Sequence, residues 1–220
     1  MPESVKSIKY LSQAELKGLF QVINSKRDKA IFLVAYLHGL RACEVGMLTL
    51  DDLDIDRGRI RIQRAKHSLG GEYPMQPNEI KVIRAWLRQR KSRGTTLFIS
   101  QRDAPISRRM LDCLMKDYGE KAGIPPDKRH FHVLKHSIAT HLMEAEADIK
   151  FVQDWIGHKD IRNTLVYAQI TNKVRDRQAK KLFASPMVVT GCIAKKFSAR
   201  VVVPKLMGGL TKLPMVLYHR

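Results

Sequence analysis

The fold turns on one stretch, Phe131-His132-Val133-Leu134-Lys135-His136-Ser137-Ile138-Ala139-Thr140-His141-Leu142, followed by Trp155-Ile156-Gly157-His158-Lys159-Asp160-Ile161-Arg162-Asn163-Thr164 and then Tyr167. Its apolar spacing predicts a helix from about Lys135 to Glu146. Asp148 caps a second helix that runs to Ile156, where Gly157 stops it because a left-handed terminal residue is cheapest as glycine. A third helix covers Ile161 to Tyr167. Four histidines (His132, His136, His141 and His158), Lys135, Lys159, Arg162 and Tyr167 thus fall on or beside closely spaced short helices.

Working outward from there, the rest of the chain reads in the same way. Ser12-Gln13-Ala14-Glu15 is a capping box that opens a helix to about Asn24. Asp28 opens a strongly apolar helix through Ile31, Phe32, Val34 and Leu37 that Gly39 ends. Leu53 to Asp56, the turn Arg57-Gly58, and Arg59 to Arg64 alternate at period two, and Ser68 to Gly71 separates them from Glu72 to Met75, which predicts a small antiparallel sheet. Pro77 starts an amphipathic helix to Lys91, and Ser107 caps another that runs to Gly123. A final helix is expected from Lys173 to Phe183. The fold class is mainly α with a small antiparallel β-sheet (α+β).

The chain has 220 residues and carries 40 Lys plus Arg against 21 Asp plus Glu, a formal charge of +19 that calls for a polyanionic partner. Hydrophobic residues make up 44%, so it folds around a core rather than forming a basic tail. The longest apolar stretch, near Ala30 to Leu37, is too short to span a bilayer, and Met1-Pro2-Glu3-Ser4 is no signal sequence. Cys43, Cys113 and Cys192 are odd in number and widely spaced, which speaks against a disulfide framework. These features fit a soluble cytoplasmic protein with no membrane partner. Few aromatics, 7%, favour duplex DNA over base-stacking on a single strand.

With Gly39-Leu40-Arg41-Ala42-Cys43-Glu44-Val45 upstream, the blocks quoted above resemble the catalytic domain of the tyrosine recombinases, the phage-integrase and Xer-type family. Its pattern H-x-L-R-H…A-T-x-L, then L-G-H…T…Y, is met at nearly every position, and the resemblance covers roughly Lys9 to Phe183. Within the family the chain looks most like the short fimbrial phase-variation recombinases. The start at Tyr10-Leu11-Ser12 matches that of such a catalytic domain, so the amino-terminal core-binding domain is expected to be missing. Residues 1–185 are read as the catalytic domain and 186–220 as a basic extension (Lys195, Lys196, Arg200, Lys205, Lys212, Arg220). For that extension three readings stay open: a further hairpin, an arm that orders on DNA, or an ill-folded tail.

The resemblance implies that Tyr167 attacks the scissile phosphate to give a 3′-phosphotyrosyl bond, with His132 as base and Lys66 as the acid for the 5′ oxygen. Arg41 and His158 hold the non-bridging oxygens, and Glu44 orients Arg41. Metal-free phosphodiester cleavage needs such a nucleophile, cations and acid. At the family's second arginine stands Lys135, expected as a point-charge contact to the phosphate where the family has a fork. The resemblance also implies a homo-tetramer on paired duplexes and no cofactor.

His132, His136 and His141 are spaced in a way that tempts a zinc reading, but there is no H-E-x-x-H glutamate and Lys135 would repel a cation. No metal is expected, and His136 and His141 read as helix-face or core residues. Arg64, Arg108, Arg109, Lys128, Arg129 and Arg162 are expected to touch the DNA backbone, positioning the duplex without reading it. Two other functions fit the same residues: a DNA-binding protein of this fold with weak or no activity, and a type IB topoisomerase.

Overall fold

Ser12, Ser107 and Asp148 cap their helices as expected in the computed structural model, which describes residues 8–65, 68, 70–168 and 180. Helix α1 (Gln13–Val22) starts at Ser12, whose hydroxyl accepts the Glu15 amide while the Glu15 carboxylate accepts the Ser12 amide at 2.7 Å. Helix α2 (Lys26–Leu37) begins earlier than expected. Ser25, not Asp28, is its cap and accepts the Asp28 amide. The Asp28 carboxylate is instead buried, accepting from Tyr118 Oη and Arg27 Nε at 2.8 Å each. Gly39 then turns the chain at φ 57°. A β-carbon there would meet Ile156 Cγ2 at 3.1 Å, so this close approach as well as the dihedral requires glycine.

The next helix, α3 (Ala42–Met47), is a single short element with Arg41 at its N-cap, and no periodicity marked it. Strands β1 (Leu53–Asp54), β2 (Arg59–Ile62) and β3 (Gly71–Pro74) form an antiparallel sheet in that order, as the alternation predicts. Ile60 pairs with Tyr73 in register, and Ile60, Ile62 and Tyr73 face the core. Helix α4 (Pro77–Leu87) stops short of Lys91 because the Arg90 guanidinium gathers the carbonyls of Ser92, Gly94 and Thr96 into a turn. Ser107 caps α5 (Arg108–Lys121).

Helices α6 (Val133–Glu144), α7 (Ile149–Trp155, capped by Asp148) and α8 (Arg162–Ala168) complete the described body. Helix α6 begins two residues before the expected Lys135, which puts His132 at its N-cap and Lys135 in its buried first turn. Helix α2 packs against α4 and α6. Phe32, Phe98, Phe131, Ile31 and Ile83 are fully buried in the main core, where each such side chain contributes ~1.5–3 kcal/mol. A smaller cluster joins Ile138, Ala139, Val152 and Ile156 to Tyr167. The expected helix from 173 to 183, and the extension 186–220, lie outside the described residues. No described helix is long and apolar enough to cross a membrane.

Candidate active site

The turn at Gly39 delivers Arg41 to the start of α3, where Glu44 one turn on holds it in two ways. The Glu44 carboxylate accepts the Arg41 amide at 2.8 Å and Arg41 Nη1 at 2.7 Å, and Nη1 also donates to Ser68 Oγ at 3.1 Å. Arg41 lines one cleft with Ser68, Gln153, His158 and Asn163, and a second with Cys43, Arg108, Arg129, His130 and His132. It therefore stands where the two meet, with its fork oriented by a carboxylate.

Behind it the same carboxylate anchors a buried layer. Glu44 also accepts from Arg64 Nη1 and from the Ala65 amide, each at 3.2 Å. Burial pushes its pKa up, but the Arg41 amide and the charges of Lys135 and Arg64 outweigh that and keep it below the ordinary carboxylate range.

Arg64 was expected to contact DNA, and the structure corrects this. Its side chain is fully buried and donates to the carbonyls of His38 and Trp155, each at 2.8 Å, and of Gly39 at 3.0 Å, with the guanidinium over the Tyr73 ring. It ties α2, the sheet and α7 together.

Lys135 is placed in the same layer. It is 1% exposed, and its Nζ donates to the carbonyls of Gly39 at 2.9 Å and Ile156 at 2.5 Å. The expected direct contact to a phosphate is thus replaced by a bridge between the two turns that carry Arg41 and His158. Burial, then the charges of Arg64 and Arg41, hold its pKa well below the usual lysine range.

His158 follows Gly157, whose φ of 67° ends α7. The His158 Nδ1 lies 3.1 Å from Thr164 Oγ1, and Gln153 Nε2 donates to the His158 carbonyl at 2.9 Å. Burial and the cations Lys135, Arg41 and Arg64 lower its pKa to about 4, so the ring is neutral at pH 7. Nδ1 is engaged by Thr164, and in the tautomer where that hydroxyl donates to Nδ1 the ring proton is on Nε2.

Tyr167 stacks on His158 with ring centroids 6.3 Å apart, and its residue is 2% exposed. Burial raises the phenol pKa to about 12, against the lowering effect of Arg41. Its hydroxyl is hydrogen-bonded to His136 Nδ1 at 2.9 Å. His132 sits at the edge of the Arg41 cleft, open to solvent on its outer side, with its ring edge-on to His136 at 4.6 Å. Crowding by surrounding protein, then Lys135 and Arg41, bring its pKa to about 4.

Arg41, His132, His158 and Tyr167 are thus brought together, with Lys135 behind them. Lys66 lies outside the described residues, although its neighbours Ala65 and Ser68 bond Glu44 and Arg41. Arg108 projects into solvent beside Asp112, while Arg129 lines the second cleft and donates to the Ile124 carbonyl at 2.6 Å. Lys128 is held by Glu15 at 2.8 Å, across 113 residues of chain, and the exposed Arg162 pairs with nearby Asp160; Arg109 is exposed. Among the described residues no three His, Cys, Asp or Glu side chains are grouped to hold a metal ion. Sequence reading missed Ser68, Gln153 and above all His136. The four-residue spacing from His132 put His136 on the same helix face, but nothing local said that a tyrosine on another helix would meet it.

A family model described as "Phage integrase family" matches residues 9–173. The fimbrial regulatory protein FimE of Escherichia coli K12 is 32% identical over 168 residues, covering 72% of this chain and 84% of that protein. Tyrosine recombinase XerA of Thermococcus kodakarensis is 36% identical over 168 residues, but this chain covers only 58% of its length. The crystal structure of XerA recombinase superposes with a TM-score of 0.70 at 25% identity, over 82% of this chain and 66% of that one. The Tn1549 transposon integrase with transposon right-end DNA gives a TM-score of 0.70 at 19% identity, over 84% and 69%, a likeness of fold.

Proposed function

Because the chain belongs to the phage integrase family, we propose that it is a site-specific DNA recombinase that cuts and rejoins duplex DNA through a 3′-phosphotyrosyl bond on Tyr167. The observation that carries this reading is the convergence of Arg41, at the start of α3, and His158, just past α7, on one cleft, with Tyr167 of α8 stacked against His158 behind it.

Arg41, held by Glu44, presents its remaining donors to a non-bridging oxygen. His158, neutral and oriented by Thr164, donates from Nε2 to the same phosphate. His132 supplies a further donor from the neighbouring cleft, and Lys66 protonates the departing 5′ oxygen. The basic rim with Arg108 and Arg129 grips the flanking backbone. The protein acts in the cytoplasm as a homo-tetramer on two duplexes. That reading is supported by the family, by the charge of +19 and by free Cys43 and Cys113.

A nicked duplex, in which the 5′ fragment diffuses away after cleavage, traps the intermediate. The protein becomes covalently linked to DNA through Tyr167, and Tyr167→Phe gives no adduct. A second reading, a DNA-binding protein of this fold without activity, is favoured by the buried phenol and by Lys135 bonded to carbonyls. DNA binding with no adduct from the unsubstituted protein would establish it.

A further inference from the structure

One titratable side chain outside those assigned above touches the reacting oxygen. His136 sits on α6, one turn beyond His132, and its Nδ1 is 2.9 Å from Tyr167 Oη on α8, across 31 residues of chain. The phenol's hydrogen bond goes to His136 and not to His132, which meets only the edge of the His136 ring. Tyr167 is packed among Ile138, Ala139, Val152 and Ile156, so bulk water does not reach the hydroxyl freely and a protein group must take its proton. Burial, then the charges of His132, His130 and Lys135, bring the His136 pKa to about 3, so the ring is neutral at pH 7, and in its Nε2–H tautomer Nδ1 accepts the phenol proton.

We infer that His136 is the group that receives the phenol proton when Tyr167 attacks the phosphate, an inference that rests on the reading of Tyr167 as nucleophile. An Oη lone pair forms the O–P bond, the P–O5′ bond breaks with its electrons on O5′, and O5′ takes a proton from the general acid. The Oη–H proton passes to Nδ1, leaving His136 as an imidazolium protonated on both nitrogens. Ligation runs the same transfers backwards. The proton does not move ahead of bond formation, because the free phenol is far more basic than this imidazole. It moves as the oxygen becomes an ester oxygen and loses basicity, while the incoming phosphate charge favours the imidazolium.

The test uses the full chain and a pool of nicked random-sequence duplexes, with covalent protein–DNA adduct scored after denaturation. His136→Leu is expected to slow adduct formation at pH 7 by ~10² or more, the range for loss of a general base. His136→Asn, which keeps an acceptor near the Nδ1 position but cannot carry the proton away, is expected to be similarly slow. Replacing Tyr167 by 3,5-difluorotyrosine, a more acidic phenol, should restore at least tenfold of the rate in either variant and change the parent protein little. Adduct formation at the parent rate in both His136 variants overturns the inference. So does a slow rate that the acidic phenol does not restore, since that marks a packing role. No adduct from the parent, or an adduct from Tyr167→Phe, removes the nucleophile reading and the inference with it; an active parent with an inert Tyr167→Phe leaves the His136 result to stand alone.

Discussion

Two cationic layers lie back to back in this molecule. In front, Arg41, the exposed His132 and the largely buried His158 border open clefts. Behind, Arg64 and Lys135 are buried and bonded to the carbonyls of His38, Gly39, Trp155 and Ile156. Glu44 stands between and holds both Arg41 and Arg64. The difference teaches that charge alone does not make a phosphate contact: a guanidinium whose fork is filled by carbonyls braces turns, and one with donors to spare binds anions.

Substitutions in the rear layer should cost stability, and those in front should cost chemistry. The largest effect is expected from Arg64→Leu, which removes the fully buried ionic partner of the Glu44 carboxylate and a donor shared by the carbonyls of His38, Gly39 and Trp155. Chemical denaturation should show a loss of about 3–5 kcal/mol, the cost of breaking a buried charged pair from one side. If stability holds and only DNA binding falls, the two layers have been assigned the wrong way round. Arg41→Ala is expected to lower the adduct-forming rate by ~10²–10³ with a nearly unchanged unfolding midpoint, as when one oriented donor is lost from a charge-stabilising site.

The histidines sharpen the comparison through pH. His136 and His158 have folded pKa values lowered to about 3 and about 4, below the unfolded value near 6.5. Above pH 6.5 both states are neutral and no penalty exists. Below it the unfolded chain takes up protons that the folded protein refuses, so stability falls as pH drops from 6.5 towards 4. At ~1.4 kcal/mol per unit, and discounted for the ring surface that reaches solvent, the loss is on the order of 2 kcal/mol, read as a lowered melting temperature. A flat profile over that range would place these rings in a wetter front layer than their packing indicates. The smallest effect belongs to Arg108→Ala on the exposed rim. It should leave stability unchanged and reduce the slope of log affinity against log salt by about 1, as for a single phosphate contact.

Much of this was legible in the chain. The capping box at Ser12, the alternation around Ile60 and Ile62, and the glycines at 39 and 157 act through neighbours a few residues away, and each produced its element. His132, His158 and Tyr167 were named through the resemblance their motifs carry. Short-range rules failed where a distant partner decided the outcome. Ser25 capped α2 because Asp28 was taken up by Tyr118, and α4 ended early because Arg90 turned back on its own following loop.

By itself, then, the sequence determined the three strands and, α3 apart, the helices of the described residues, the basic character of the chain and which residue types gather near the chemistry, because periodicity, caps and turns are local properties of a chain. Only the tertiary structure decided that Arg64 and Lys135 face carbonyls while Arg41 faces a cleft, and that Tyr167 meets His136. Those outcomes depend on which donors and acceptors arrive together from elements far apart in the chain, and a buried polar group takes whatever partner the packing brings within about 3 Å.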